Sequence, residues 1–171
     1  ASFDILAWNA DSSNLPAGLH SDFLEVAGEN ALARPNELTV RGNKVDLSSL
    51  HCDVYVVAGQ TDHITPWESA YQSLALFGGP TRFVLTGTGH IQTLVCPEDN
   101  PKARYFTNEA RPASPEAWRE GADEHAGSWW NDWTSWLAGR SGAMVDASTS
   151  AGDDQHRPLV AAPGTYVHAE A

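Results

Sequence analysis

Two β-type runs near the middle of the chain flank a stretch with helical character. Residues 54–58 are apolar throughout, as strands buried on both faces of a parallel sheet usually are. Residues 66–77 are predicted to form a helix, because Pro66 suits a first helical turn and Gly78-Gly79-Pro80 ends it. Residues 81–85 form the second run. The order strand, helix, strand predicts adjacent parallel strands with a right-handed crossover, and therefore an α/β fold.

The first third of the chain has a weaker pattern. Leu19, Phe23 and Val26 recur at helical spacing and predict a short amphipathic helix, which closes at Arg34-Pro35-Asn36. Residues 38–40 and 44–47 alternate in polarity on either side of Gly42-Asn43, which predicts a hairpin.

The last third contains a polar loop, a long helix and a tail. Residues 96–115 are polar and rich in proline, and we expect an ordered loop there. A helix is predicted from Pro115 to about Ala138, with Ser114 as its N-cap and room for a break near Gly127. Residues 143–171 are rich in Ala, Ser, Asp and Pro and are expected to be peripheral, with residues 162–167 docking. The aromatic area of four clustered tryptophans predicts packing rather than a ligand site: Trp129, Trp130, Trp133 and Trp136.

An ionisable residue follows each of the two predicted parallel strands. Asp62 comes after the first strand and His90 after the second, each beyond a break at glycine. The carboxyl ends of neighbouring parallel strands face one crevice, so the two side chains are expected to meet. Histidine accepts and returns a proton near neutral pH, while a carboxylate holds the useful tautomer. The order acid then histidine, with one helix between them, matches one class of Ser…Asp…His triad.

Each of these residues also has a structural interpretation. Asp62 alone would more often be a turn or capping acid, and His90 alone a loop residue that satisfies local hydrogen bonds. Their joint placement favours a functional pair. For His63, next to the acid, a structural role is favoured over a role in the crevice.

The sequence supplies no recognisable nucleophile for this pair. Gly-x-Ser-x-Gly and Gly-x-Cys-x-Gly elbows are absent from all 171 residues. The nearest segment, Gly139-Arg140-Ser141-Gly142-Ala143, follows a predicted helix and lacks the second elbow glycine. Cys52 and Cys96 stand in no glycine-flanked elbow and form no CxxC or HExxH pattern, so neither a catalytic thiol nor a zinc site is predicted.

Composition and charge narrow the range of partners. The formal net charge of −12 argues against nucleic-acid binding and against adhesion to anionic membranes. No apolar run spans a bilayer and no signal segment opens the chain, so we expect a cytoplasmic location. Two cysteines are too few for a disulfide framework. The first residues read as the middle of a domain, and we interpret the chain as a fragment of a larger protein whose front is missing.

Six short motifs are spread over almost the whole chain. They are residues 4–11 with Asn14-Leu15-Pro16, residues 61–67, Gly89-His90-Ile91, Asn100-Pro101-Lys102-Ala103, Gly127-Ser128-Trp129-Trp130 and residues 162–167. Their combination resembles the carboxyl-terminal part of polyhydroxyalkanoate synthases of class I or II.

The resemblance implies an α/β-hydrolase fold, of which this chain would be the carboxyl-terminal part. Residues 1–35 would be the end of a cap subdomain, residues 36–142 the second half of the core with parallel strands and flanking helices, and residues 143–171 a peripheral tail. The elbow cysteine and its strands would lie upstream, so the chain on its own is expected to be inactive and unstable.

The resemblance also implies an acyltransferase that polymerises (R)-3-hydroxyacyl-CoA into a storage polyester and releases CoA. In the family pattern, the histidine matching His90 activates the upstream cysteine thiol, and the acid matching Asp62 helps to activate the 3-hydroxyl. The CoA thioester is the substrate, and neither a cofactor nor a metal is expected. The implied partners are the acyl-CoA, the growing polyester and a second copy in a homodimer, at the surface of cytoplasmic storage granules.

Two other functions fit the same residues. A serine esterase or polyester depolymerase of the same fold would need an upstream Gly-x-Ser-x-Gly elbow. A non-catalytic granule-associated or partner-binding module would fit the acidic charge and the tryptophans, but it would leave the acid–histidine pair idle.

Overall fold

The computed structural model describes residues 14–161 together with residues 164 and 165. It divides into two units, one with the residues up to Leu24 and from Ala143 onward, the other Glu25–Gly142. Helix α1, Ala17–Gly28, forms over the predicted apolar positions but ends at Gly28 rather than at Arg34-Pro35-Asn36, and its apolar Phe23 and Leu24 are exposed. The tail between residues 143 and 161 is exposed. The motif at residues 4–11 and most of the predicted docking segment lie outside the described residues, and the domain boundaries stay predictions.

The second unit contains the sheet and its helices. In chain order its elements are β1 (Thr39–Val40), β2 (Asn43–Lys44), β3 (Val54–Gly59), α2 (Trp67–Gln72), β4 (Thr81–Thr86), α3 (His90–Leu94), β5 (Arg104–Thr107), α4 (Pro115–Glu120), β6 (Asp123–Ala126) and α5 (Trp130–Ala138). The last four elements, β5 to α5, differ most from the structure that the sequence predicts.

The predicted strand–helix–strand unit is confirmed. Strands β3 and β4 are parallel neighbours, with Val54 opposite Thr81 and Gly59 opposite Thr86. Helix α2 lies between them in the chain, and Pro66 is its N-cap. A 3₁₀ turn over Ser73–Leu76 follows α2, so the predicted single helix ends in a tighter turn. The chain therefore has a mixed α/β architecture with a parallel pair.

Two expectations for the last third are wrong. The predicted loop contains β5, which pairs antiparallel with β4, and the predicted long helix is interrupted by β6, which pairs antiparallel with β5. The sheet order is β3-β4-β5-β6. Ser114 caps α4 as predicted by accepting from the Ala117 amide, but Gly121 ends that helix. Three of the four residues of β6 are polar, and pairing with the neighbouring strand, rather than an apolar pattern, makes them a strand.

The predicted hairpin turns one residue earlier than expected. Val40 pairs with Asn43, so Arg41 and Gly42 form the two-residue turn. Both have positive φ, 49° and 82°, as a type I′ turn requires. Asp46 then accepts a hydrogen bond from the Ser48 amide and starts a 3₁₀ turn, which shortens the second predicted strand.

Both faces of the sheet are covered by aromatic packing. On one face, Tyr71 of α2 and Trp118 of α4 pack on Phe83, with ring centroids 5.2 and 4.9 Å away. On the other face, Tyr55 stacks on Trp129, with ring centroids 6.1 Å apart. This two-sided burial is the physical reason why residues 54–58 are apolar without alternation. The expectation that the clustered tryptophans serve packing holds for Trp129, which is buried.

A charged network attaches α5 to the sheet. The guanidinium of Arg82 donates to both carboxylate oxygens of Asp132, at 2.9 and 2.5 Å, and the Tyr55 hydroxyl donates to the same carboxylate at 2.7 Å. Burial opposes ionisation of Asp132, but the hydrogen bonds from Arg82 and Tyr55 outweigh it and lower its pKa. The network therefore stabilises the fold above about pH 4, and this contribution is lost as the pH falls through the lowered pKa.

Within the residues that the structure describes, no helix combines the length and apolar character needed to cross a membrane.

Replacing Asp132 by Asn should destabilise the chain by about 2 kcal/mol, because Arg82 then keeps no buried counter-charge. Glu109→Gln is the matched control, since Glu109 bonds the same guanidinium but its side chain is 91% exposed. The control should lower the free energy of unfolding by less than about 0.5 kcal/mol. Urea unfolding of the chain measures both, and equal losses would contradict the role of the network.

Candidate active site

The loops that follow β3 and β4 leave the sheet side by side. The Gln60 amide donates to the Thr86 carbonyl at 2.8 Å, and the Thr61 amide donates to the Thr88 carbonyl at 3.1 Å. These two bonds continue the parallel ladder beyond Gly59. Residues that follow the two strands are therefore held in register.

Gly59 makes this close approach of the loops geometrically feasible. A Cβ at this position would lie 2.2 Å from the Thr93 hydroxyl oxygen and 2.7 Å from the Thr88 carbonyl oxygen. Any other residue would push the start of α3 away from the end of β3. The glycine that ends the first apolar run thus sets the distance between the two loops.

Asp62 is held by a set of local donors. Its Oδ1 accepts from the amides of Ile64 and Thr65 at 2.9 and 3.0 Å. Its Oδ2 accepts from the Thr65 hydroxyl at 2.7 Å. The hydrogen bonds from Thr65, then those from His90 and the Ile64 amide, hold the pKa of Asp62 well below its usual range. The carboxylate side chain is only 5% exposed, so its orientation is fixed.

His90 meets Asp62 directly. The His90 Nδ1 lies 2.9 Å from the Asp62 Oδ2. Because ionised Asp62 can only accept, the proton of the hydrogen bond belongs to His90 Nδ1, and Nε2 is left as the basic nitrogen. The His90 side chain is 46% exposed, whereas Asp62 is nearly covered. The pair therefore presents an accessible, oriented imidazole with a buried carboxylate behind it.

His90 is the first residue of helix α3 rather than a loop residue. Gly89 is the N-cap, and the Thr93 amide and hydroxyl both donate to the Gly89 carbonyl, at 2.9 and 2.8 Å. Thr93 is 5% exposed, and its hydroxyl also lies 3.2 Å from that of Thr86. These contacts fix the first turn of α3 on the end of β4.

The other candidates from the sequence lie elsewhere. Cys52 precedes β3, and so lies at the opposite end of that strand from Asp62. Cys96 is buried with Val84, Ala103 and Trp129. His63 is exposed on the Asp62 loop, and among residues 14–161 it makes no hydrogen bond to either member of the pair. Among the described residues, no group of three His, Cys, Asp or Glu side chains is arranged to hold a metal ion.

Thr65 and Thr93 are site residues that the sequence patterns did not single out. The Ile64 amide, two positions after Asp62, closes an Asx turn on the carboxylate, and Thr65 follows as a second donor at the third position. A threonine directly after such a turn is the signal that would have found Thr65. Thr93 follows His90 by three positions on the same short helix. Its role depends on Thr86 and Gly59, which are distant in sequence, so no local pattern reveals it.

Thr65→Val should raise the pKa of Asp62 towards the ordinary aspartate value, because it removes a hydroxyl donor to the carboxylate. Thr65→Ser keeps that donor and is the matched control. The folded pKa is the lower one, so ionised Asp62 stabilises the fold above about pH 4 and loses this effect as the pH falls. NMR titration of the Asp62 carboxyl carbon reports the midpoint, and identical midpoints in both variants would refute the assignment.

Comparison with known proteins finds relatives that match almost the whole chain, although no family model matches it. Poly(3-hydroxyalkanoate) polymerase 1 of Ectopseudomonas oleovorans is 49% identical over 166 residues, which are 97% of this chain and 30% of that protein. Polymerase 2 of the same organism is 46% identical over 165 residues, 96% of this chain and 30% of the relative. Poly(3-hydroxyalkanoate) polymerase subunit PhaC of Cupriavidus necator is 44% identical over 170 residues, 99% of this chain and 29% of the relative.

The chain thus spans about 30% of the length of the curated relatives it matches. Identity at this level over 96% or more of the chain reflects common descent rather than a shared short motif. Over the segment that it shares with them, the chain is therefore similar along almost its whole length to poly(3-hydroxyalkanoate) polymerases.

Proposed function

We propose that this chain forms part of an acyltransferase that polymerises (R)-3-hydroxyacyl-CoA into a polyester and releases CoA. The observation that carries the proposal is the hydrogen bond between His90 Nδ1 and Asp62 Oδ2, 2.9 Å long, at the carboxyl ends of two parallel strands. The names of the relatives supply the reaction class. CoA thioester is the substrate in this proposal, and no further cofactor takes part.

His90 acts as the base in this reaction. Its Nε2 accepts the proton of a cysteine thiol, and the thiolate attacks the thioester carbonyl of the acyl-CoA. The carbon–sulfur bond to CoA then breaks, and the CoA thiolate takes the proton back from the imidazolium. The acyl group is now held as an enzyme thioester. The exposed imidazole fits this step, because the thiol must reach Nε2 from outside the described pair.

Chain growth uses the 3-hydroxyl of another acyl unit. This hydroxyl loses its proton to the acid–histidine pair as its oxygen attacks the enzyme thioester, and an ester forms as the thiolate leaves. Asp62 is nearly covered and its Oδ2 is bonded to His90, which supports a role through the imidazole, by stabilising the imidazolium. Direct activation of the hydroxyl by Asp62 would require His90 to move aside.

The nucleophile belongs, in this proposal, to a part of the polymerase that precedes these strands. Cys52 lies at the wrong end of β3 and Cys96 is 2% exposed, so neither can reach His90 in this arrangement. Strand β3 is apolar on both faces but ends the described sheet. An α/β-hydrolase core with further strands paired to β3 would cover that edge and bring an elbow cysteine to the same crevice. Homodimerisation and attachment to the polyester granule belong to the same proposal.

His90→Ala should reduce polymer formation by about 10²–10⁴-fold, because it removes the general base. The test uses a chimera in which this chain replaces the matching segment of the Ectopseudomonas oleovorans polymerase 1. Asp62→Asn should also reduce the rate strongly, since the amide no longer stabilises the imidazolium. His63→Ala, at the neighbouring position, is the control and should stay within about threefold of the parent. Full polymer accumulation in both His90 and Asp62 variants would defeat the proposal.

The isolated chain should release no CoA from a 3-hydroxyacyl-CoA above the buffer rate, because neither of its cysteines lies beside His90. A thiol reagent that detects free CoA measures this. The chimera, assayed in parallel, should release CoA and lose this activity on alkylation. Measured turnover by the isolated chain would show that it carries its own nucleophile.

A further inference from the structure

Helix α3 is too short to hold its own geometry. It contains five residues, His90 to Leu94, and begins with the histidine of the site. An isolated helix of this length is unstable in water, and its last carbonyls have no partner within the helix. Other parts of the chain must therefore supply the donors that keep α3 in place.

Three consecutive residues, two just before α5 and one at its first position, supply these donors. The Trp129 indole N–H donates to the Thr93 carbonyl at 2.7 Å. The Trp130 indole N–H donates to the Leu94 carbonyl at 3.1 Å. The Ser128 hydroxyl donates to the Cys96 carbonyl, just beyond the helix. The carboxyl end of α3 is thus bound by side chains that lie 36 residues away along the chain.

We propose that Trp129 and Trp130 are positioning residues, whose indole N–H groups hold α3 so that His90 faces Asp62. This inference rests on the proposed function of the acid–histidine pair. It assigns the two tryptophans a role in the reaction beyond the aromatic area that they bury.

Trp129 connects α3 rigidly to the sheet. It is 8% exposed, and its ring stacks on Tyr55 of β3, with centroids 6.1 Å apart. The Tyr55 hydroxyl bonds Asp132 of α5, which also binds Arg82 of β4. The two indole donors therefore lie at the amino end of a helix that is bonded to both parallel strands. A shift of α5 would move the carbonyl end of α3 with it.

The opposite end of α3 is held by different contacts. Thr93 donates to the Gly89 carbonyl and lies against Gly59, which leaves the first turn no room to approach β3 further. The Thr93 hydroxyl thus ties the helix back to Gly89, and the two indoles tie its last carbonyls to the segment around the start of α5, so these contacts together oppose a tilt of α3. A tilt would separate His90 Nδ1 from Asp62 Oδ2, and displacement of a catalytic group by about 1 Å can cost about 10²-fold in rate.

The test removes one indole donor in the chimeric polymerase described above. Trp130→Phe should lower kcat by about tenfold and leave KM within about twofold, because His90 is misaligned while substrate binding is unaffected. A benzothienyl analogue of tryptophan at the same position keeps the ring area but lacks the N–H, and it should cause the same loss. Trp129→Phe should act in the same direction.

Trp133→Phe is the matched control. Trp133 lies one turn further along α5 and packs edge-on against Trp129, with ring centroids 6.4 Å apart. This variant should keep kcat within about twofold of the parent. Thermal unfolding of each variant separates loss of alignment from loss of fold.

Two outcomes would overturn the inference. Parental kcat in both Trp130 replacements, with His90→Ala inactive, would refute the positioning role and leave the proposed function intact. Unfolding of both Trp130 replacements would also refute it, because the indole would then be purely structural. An active His90→Ala variant would instead refute the proposed function, whatever the tryptophan variants do.

Discussion

The parallel pairing of β3 with β4 is the constraint on which the rest of the structure depends. Six residue pairs run from Val54–Thr81 to Gly59–Thr86, and two further amide–carbonyl bonds join the loops beyond them. The two strand ends are therefore level, and the side chains that follow them share one crevice. Asp62 and His90 are 28 positions apart in the chain and meet only because this register is kept. A slip by one residue would reverse the faces of β3 and separate the pair.

The packing on the two faces of the sheet keeps the register and the site together. Tyr71 and Trp118 cover one face, and Trp129 with Cys96 covers the other. The Arg82–Asp132 ion pair joins β4 to α5, and its donors overcome the cost of burying the carboxylate. Since α5 also begins with the residues that bond the end of α3, packing and site geometry are coupled through one helix. Trp129, which packs in the core, thus also bonds the helix that begins with His90.

The parts of the fold that could be predicted are those with local signals. Residues 54–58 are apolar without interruption, Pro66 and Gly78 bound a helix, and Ser114 caps another. Strand β6 carries no such signal, because Asp123–Ala126 is mostly polar and is made a strand by its partner. In β5, Tyr105 and Phe106 suit a strand, but they are only two residues within a polar, proline-rich stretch. The helical start at His90 was likewise hidden, since five residues are too few to show a helical period.

The sequence by itself determined the residue types of the site and their order. It places an acid and a histidine after two β-type runs, and it carries the motifs by which the chain resembles polyhydroxyalkanoate synthases. Tertiary structure alone decided that the Asp62 carboxylate is covered, that His90 Nδ1 faces it, and that Thr65, Thr93 and two indoles hold the arrangement. The physical reason is that burial and hydrogen-bond partners are set by contacts between distant segments, whereas strand and cap signals arise from neighbours in the chain.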